Sequence, residues 1–263
     1  MFSSMNSVQN SQKDPIRKNF FGPLEKAENA SGILFVMGAI LSFASILVDQ
    51  EAYPVFHTIV SYLFIITIIV FFVLSITIRL YWFPRAEDAR RKDFLSNTFG
   101  FDLTNQRTTG YYSNDEKTPE RRMALSVLEN LLYTKTILQH MATLARAKAA
   151  ICLLIWMILL VYRDSTMILI TTIALTLFSE EILARWLRLE WALNRGEKLF
   201  ESTHRLLQSN PSQEKLFPYI LDAFADYETG KSLAGILLSG KIFNKINPKL
   251  SREWEEIKSG LFQ

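Results

Sequence analysis

The sequence predicts an all-α membrane protein in which two transmembrane helical hairpins, four helices in all, continue into long cytoplasmic helices that form a bundle. Residues 32–48 and 59–78 carry no charged side chain, and a shorter apolar pair follows at 149–162 and 166–178. No stretch alternates apolar and polar residues as a strand does. Because a bilayer core of ~30 Å needs about 20 apolar helical residues, the first pair is long enough, or nearly so, to cross it.

Two arrangements are open for the second apolar pair. Residues 149–162 and 166–178 give roughly 20 Å of helix each, a length at which a re-entrant hairpin competes with a span. Arg146 and Lys148 at one end and Arg163 at the other can extend to the two membrane interfaces. These flanking charges favour four spans over a re-entrant second hairpin.

Basic residues are distributed unevenly around the apolar segments. Twelve lysines and arginines lie within 79–148, whereas the connecting loop 49–58 has none. Because loops rich in Lys and Arg remain in the cytoplasm, both termini and the middle region are predicted to be cytoplasmic. The polar first 30 residues lack a signal-peptide pattern, so the first apolar segment is expected to direct insertion.

The apolar segments divide the chain into alternating regions. The sequence predicts a polar cytoplasmic tail (1–30), a first transmembrane hairpin (31–82), a cytoplasmic region of helix and loop (83–148), a second hairpin (149–179) and a cytoplasmic helical region (180–263).

Helix boundaries in the polar regions are predicted from proline, glycine and capping residues. A kink or break is expected at Pro84, and residues 85–95 predict a helix that closes near Gly100. Thr118 and Pro119 predict a helix start whose apolar stripe runs into the third apolar segment. Further helices are predicted at 180–207, 213–227 and 251–259, the last two being short.

Patterns for catalysis and metal binding are largely missing from the sequence. One cysteine, Cys152, excludes a disulfide within the chain, and the three histidines lie in different regions. Gly230-Lys231-Ser232 resembles the end of a phosphate-binding loop, but Ala225 stands where that motif needs glycine. Glu181 lies one helical turn before Arg185 and predicts an ion pair. We therefore expect no catalytic residue, no metal site and no cofactor.

Small polar residues recur on one face of two apolar segments. Ser42, Ser45 and Asp49 follow one another at helical spacing, and Thr172 and Thr176 do so in the fourth segment. Such a stripe can line a pore, with Asp49 at its outer mouth favouring cations. The alternative interpretation is close packing of helices through small side chains.

The loop between Phe94 and Arg122 combines aromatic, amide and guanidinium groups. Arginine pairs with phosphate and aromatic rings stack on bases, so this loop is a candidate ligand- or signal-sensing site. Packing of the loop on the bundle through its aromatic residues is the alternative. The candidate residues are Arg107, Tyr111, Tyr112, Asn114, Arg121 and Arg122.

Two stretches, Ala89-Arg-Arg-Lys-Asp-Phe-Leu-Ser-Asn-Thr-Phe-Gly100 and Thr109-Gly-Tyr-Tyr-Ser-Asn114, lie between the two hairpins. Together with that topology they resemble the SMODS-associating four-transmembrane effectors of bacterial antiphage conflict systems. The resemblance implies a pore-forming or membrane-disrupting effector of the inner membrane that is activated by a cyclic nucleotide messenger. The messenger binds either this chain or a partner protein. It implies no catalytic residue.

Three functional hypotheses follow. The first is an oligomeric, signal-gated membrane effector without enzymatic activity, since four short helices of one subunit enclose little space. The second is a non-conducting membrane-anchored scaffold that presents its helices to a partner. A lipid-modifying enzyme ranks last because acidic and histidine residues do not cluster at one interface. Nucleic-acid binding is not expected from a formal net charge of +3.

Overall fold

The structure is a computed structural model that describes residues 14–108, 116–162 and 166–261; these residues form helices and turns and contain no strand. The predicted all-α class is confirmed for them. Short π-helical segments occupy Arg17–Phe21, Ile78–Trp82 and Glu180–Ala184. The α-helices are α1 (Gly22–Leu47), α2 (Pro54–Thr77), α3 (Phe83–Phe99), α4 (Pro119–Val161), α5 (Met167–Leu177), α6 (Arg185–Gln208), α7 (Gln213–Ala234) and α8 (Gly240–Gly260).

The helix ends around the central loop lie where proline and glycine predict them. Helix α3 ends at Phe99, and Gly100 follows with φ 78°, a left-handed conformation in which its N–H donates to the carbonyl of Ser96 at 3.0 Å. Helix α4 begins at Pro119, whose missing N–H is not needed in a first turn. The boundaries predicted on both sides of this loop are confirmed.

The predicted break at Pro84 is a change of helix type instead of an interruption. Proline has no N–H to donate, and its ring crowds the carbonyl four residues earlier. The chain adopts π-helical geometry at Ile78–Trp82, just before Pro84, and then continues as α3. Helical structure therefore extends from Pro54 to Phe99.

The last two helices are longer than predicted. Helix α7 continues past Tyr227 to Ala234, and α8 begins at Gly240 rather than near Ser251. Pro248 lies inside α8, although a proline within a helix removes one backbone hydrogen bond. Ser239 caps α8 by accepting the N–H of Ile242 at 3.4 Å.

The chain divides into two compact units. The polar unit comprises the described residues of 14–25, 82–140 and 191–261, and the apolar unit comprises those of 26–81 and 141–190. The helical stretch 54–99 and helix α4 contribute residues to both units.

The core of the polar unit is built on one face of α4. Met123, Leu128, Leu131 and Leu132 recur at helical spacing and are fully buried. They belong to one cluster with Trp254 of α8 and with side chains of α3, α6 and α7. The apolar stripe predicted for this helix is therefore confirmed as core.

The apolar unit exposes large aliphatic and aromatic side chains along its helices. Ile66 and Phe72 of α2, for example, are 57% and 61% exposed. A soluble protein rarely leaves such a surface open to water. The described residues contain four helices long and apolar enough to cross a membrane, which indicates a multi-pass membrane protein.

Candidate functional site

The polar unit contains a cavity of about 620 Å³. Its wall comes from the start of α1 and from α3, α4, α6, α7 and α8, and it combines charged, hydroxyl and apolar side chains. Ligand sites in proteins usually occupy about 300–1,000 Å³ and mix an apolar wall with a few polar groups. The cavity therefore has the size and chemistry of a small-molecule site.

A buried ion triad forms part of the cavity wall. The Nζ of Lys231 on α7 lies 2.6 Å from Oε2 of Glu87 on α3 and 2.9 Å from Oε1 of Glu228. Burial alone would lower the pKa of Lys231, but the neighbouring Tyr227, Glu87 and Glu228 outweigh burial and raise that pKa. Lys231 is therefore a permanent cation that joins α3 to α7.

Glu228 and Tyr227 of α7 surround the ammonium of Lys231. Burial raises the pKa of the Glu228 carboxyl, an effect that Lys231 partly opposes. The ammonium lies 4.8 Å from the centre of the Tyr227 ring, whose hydroxyl is 3.0 Å from Oγ1 of Thr134 on α4. Tyr227 thus extends the contact from α7 to a third helix.

The Gly230-Lys231-Ser232 motif lies within helix α7 and forms no phosphate-binding loop. A Cβ added at Gly230 would lie 3.2 Å from Cδ of Arg195, so glycine permits the close approach of the arginine stem. Arg195 then reaches Asp226 at 2.9 Å. The motif takes part in helix packing and in the cavity wall.

The residues predicted to line a pore lie in the apolar unit, and the side chains of Ser45, Asp49, Thr172 and Thr176 form local hydrogen bonds. Ser45 donates to the carbonyl of Ser42 at 2.8 Å, and Asp49 accepts the backbone N–H of Glu51 at 2.8 Å. Thr172 and Thr176 donate to carbonyls of their own helix, each at 2.9 Å. The four hydroxyl side chains are half-buried, and Asp49 is exposed.

The arginines predicted to sense a ligand are held by protein groups. Arg107 pairs with Asp102 at 2.7 Å, and Arg121 donates to Asn210 at 3.2 Å. Arg122 donates to the carbonyl of Thr98 at 3.2 Å and to that of Glu116 at 2.7 Å, which joins the end of α3 to the start of α4. The remaining predicted sensing residues, Tyr111, Tyr112 and Asn114, lie outside the described residues.

A buried aspartate anchors the loop that follows α3, and sequence reasoning missed it. Asp93 is 0% exposed and accepts both the N–H (2.8 Å) and the hydroxyl (2.7 Å) of Thr108. Asn97 donates to the same carboxylate at 3.1 Å. The helical spacing of Asp93 and Asn97 was a signal for a shared polar face, but their partner Thr108 lies in a loop without periodicity.

A network of charges lies within the apolar unit. Glu180 pairs with Arg79 and, at 3.0 Å, with Arg188, and the predicted pair of Glu181 with Arg185 is confirmed at 3.4 Å. These pairs join the π-helical segments Ile78–Trp82 and Glu180–Ala184 to α6.

Among the described residues, no group of three or more His, Cys, Asp and Glu side chains is arranged to hold a metal ion.

Comparison of the chain with protein-family models, with curated proteins and with solved structures finds no match.

Proposed function

We propose that this chain is an oligomeric, non-enzymatic effector of a bacterial inner membrane. In this proposal both hairpins cross the bilayer, both termini are cytoplasmic, and the polar unit is a cytoplasmic helical bundle. A signal received by the polar unit opens a pore or disrupts the membrane. Defence against phage is the role implied by the family resemblance, which also names a cyclic nucleotide messenger, acting directly or through a partner protein, as the signal.

The observation that carries the proposal is the helical continuity of residues 54–99. The first part of this stretch, α2, exposes the apolar surface that a bilayer would cover. The last part, α3, supplies Glu87 to the buried triad at the cavity. A ligand or partner that alters the triad acts on a helix that is covalently and helically continuous with a candidate membrane span.

A pore requires several subunits, because four helices of one chain pack against one another and enclose little space. The stripe of Ser42, Ser45 and Asp49 is the proposed lining of that pore, together with Thr172 and Thr176. Since Ser45 and both threonines satisfy their hydroxyl donors within the helix, their oxygen lone pairs remain to accept hydrogen bonds from water or to face a cation.

The test is membrane potential in cells that produce the full chain, with and without infection or supplied cyclic nucleotides. We expect depolarisation in the wild type and its loss in the variant S42A/S45A/D49A at equal membrane abundance. Variant D49N separates the charge at the outer mouth from the turn contact that Asp49 makes. Variant T77A is the matched control, because Thr77 bonds the carbonyl of Val73 at 2.8 Å on another helix. Depolarisation that persists in the triple variant would overturn the assigned lining.

A second candidate, the non-conducting scaffold, is favoured by one observation. A Cβ added at Gly38 would lie 3.2 Å from Cδ1 of Ile68, so the small residues of α1 take part in packing against α2. An intact membrane potential under every signal, combined with loss of function on disrupting Trp186 or Trp191, would support the scaffold over the pore.

A further inference from the structure

Six charged side chains cluster where the apolar stretches of the apolar unit end. Glu28 precedes the uncharged stretch of α1, Arg79 follows that of α2, and Glu180 follows α5. The other members are Glu181, Arg185 and Arg188. Three carboxylates and three guanidinium groups leave the cluster without formal net charge, so its members serve as partners for one another and not for a charged ligand.

One link between the two hairpins is centred on Glu180. Its Oε1 pairs with Nη1 of Arg79, at the end of the first hairpin, and lies 3.0 Å from Nη1 of Arg188 on α6. Arg79 and Arg188 also interact with each other as like charges. The carboxylate of Glu180 therefore holds together two guanidinium groups that repel each other in its absence.

A second link is centred on Arg185 of α6. Its Nη1 lies 3.8 Å from Oε2 of Glu28 on α1 and 3.4 Å from Oε2 of Glu181. Glu28 and Glu181 are like charges that interact as well. In both links, removal of the central charge leaves repulsion between the first hairpin and the segment that follows the second.

The segments joined by the first link depart from α-helical geometry. Arg79 lies in the π-helical segment Ile78–Trp82, and Glu180 begins the π-helical segment Glu180–Ala184. Single π-helical turns are rare and occur frequently at functional sites. Both partners of this ion pair thus belong to segments whose backbone differs from that of the α-helices beside them.

The linked arrangement leaves two buried polar groups unpaired. Within the described part of the chain, Nε of Arg188 and Oγ of Ser179 are buried and have no hydrogen-bond partner. An unpaired buried donor destabilises the arrangement that contains it, because water would otherwise hydrate it. Separation of the hairpins would let water reach both groups, so their hydration favours the separated arrangement and opposes the ion pairs.

We propose that these links form an ionic latch, which holds the two hairpins together at their cytoplasmic ends and is released when the path across the membrane opens. The inference rests on the proposed function for the open state and for the cytoplasmic side. Helix α6 carries Arg185 and Arg188 and continues into the polar unit. A signal that displaces α6 therefore withdraws both arginines from the latch.

The first experiment measures the distance between the hairpins and does not depend on conduction. In a C152S background, spin labels are placed at K26C and F178C, two exposed positions of the apolar unit, and the full-length protein is reconstituted in vesicles. We expect R79E and E180R each to shift the label distance to longer values. The double variant R79E/E180R should return it to the wild-type distance, because one carboxylate again lies between guanidinium groups.

Variant R146E is the matched control. Arg146 on α4 forms an ion pair of the same kind with Glu190 on α6, at 2.7 Å between Nη2 and Oε2, but this pair does not involve the first hairpin. We expect its label distance to match that of the wild type. Recovery in the double variant guards against variants that merely misfold.

Three results would overturn the latch: an unchanged distance in R79E and E180R, a double variant as long as the single variants, and an equal lengthening in R146E.

Conduction by the same vesicles separates the latch from the proposed function. We expect R79E and E180R to conduct without any signal, while the wild type, R146E and the double variant remain closed. Longer label distances in R79E and E180R without conduction by any variant would keep the latch and remove the pore. Depolarisation of infected cells by the wild type, with R79E and E180R closed in vesicles, would keep the effector and remove the latch.

Discussion

At Lys231 one ammonium pairs with two carboxylates inside the polar unit, and the side chains of Lys231 and its partners are about 17% and 16% exposed. Ion pairs at a protein surface contribute little to stability, because water screens them. A buried group differs, since removing one partner leaves the others charged in a medium that solvates them poorly. Lys231 is therefore the residue whose loss the polar unit tolerates least.

Variant K231M should lower the free energy of unfolding by about 3–5 kcal/mol, the usual effect of leaving buried charges without a partner. The measurement is thermal or denaturant unfolding of the full chain in detergent. Variant K249M removes an exposed lysine of α8 and should change stability by less than about 0.5 kcal/mol. A triple variant, E87Q/K231M/E228Q, should recover much of the loss, and equal damage in the single and triple variants would contradict the argument.

Glu228 predicts a specific dependence of stability on pH. Its pKa in the folded protein is raised by burial above the ordinary value of 4.5. The folded state then holds a proton that the unfolded state has released, so the free energy of unfolding falls as pH rises above about 4.5 and levels off beyond the folded pKa. Lys231 adds no slope there, because its raised pKa affects stability only above 10.5.

The measurement for Glu228 is unfolding across mildly acidic pH in wild type and in E228Q. The slope should be smaller in E228Q and unchanged in E214Q, which replaces an exposed glutamate of the same helix. An identical slope in all three proteins would show that another group titrates.

At the scale of single residues, sequence reasoning found the core and the local ion pair of Glu181 with Arg185, but it missed the charged contacts between helices that are distant in the chain. The burial of Leu128, Leu131 and Leu132 repeats with the period of a helix, so the sequence pattern alone predicts it. Glu87 and Lys231 lie far apart in the chain and share no periodicity. Their contact depends on how α3 and α7 pack, which propensity and spacing do not encode.

At the scale of elements, the contact between α1 and α2 depends on small and polar side chains. Gly38 faces Ile68, Ser31 lies 3.2 Å from Ser75 between hydroxyl oxygens, and the rings of Phe35 and Phe71 are 6.1 Å apart. In a membrane, close approach of backbones and interhelical hydrogen bonds hold helices together, because lipid is as apolar as leucine. The contact between α1 and α2 therefore requires a small residue at position 38.

Variant G38L should destabilise the apolar unit by about 1–3 kcal/mol, because the new side chain must push α1 away from Ile68. The same helix offers a matched control: a Cβ at Gly32 would meet nothing within 4 Å, so G32L should be neutral. Thermal unfolding in detergent and crosslinking between α1 and α2 report the change. Equal stability of the two variants would place Gly38 outside the packing contact.

The lengths of elements were predictable only where strong end signals exist. Gly100 and Pro119 marked helix ends correctly, since backbone conformation and hydrogen bonding constrain those positions. The start of α8 was predicted too late: the helix includes Pro248, and packing of Leu250 and Trp254 into the core stabilises it around that residue. Burial of these side chains in the core outweighs the local preference of proline against a helix interior.

At the scale of the whole molecule, the proposed topology can be read by cysteine labelling. In a background in which the one native cysteine is removed as C152S, Q50C should react with a membrane-impermeant maleimide in intact spheroplasts. K249C should react only after permeabilisation, because the polar unit is proposed to be cytoplasmic. Y162C should behave as Q50C if the second hairpin spans, and as K249C if it is re-entrant. Labelling of K249C from outside would contradict the orientation.

The polar unit is assembled from three separate stretches of the chain, at 14–25, 82–140 and 191–261. During biosynthesis the last of these leaves the ribosome only after all four apolar segments have been made. Until then the buried face of α4, including Leu128 and Leu131, has no partner from α6, α7 or α8. Synthesis of the four apolar segments therefore precedes completion of the polar core, and a nascent chain stalled near residue 190 would present that apolar face to chaperones and proteases.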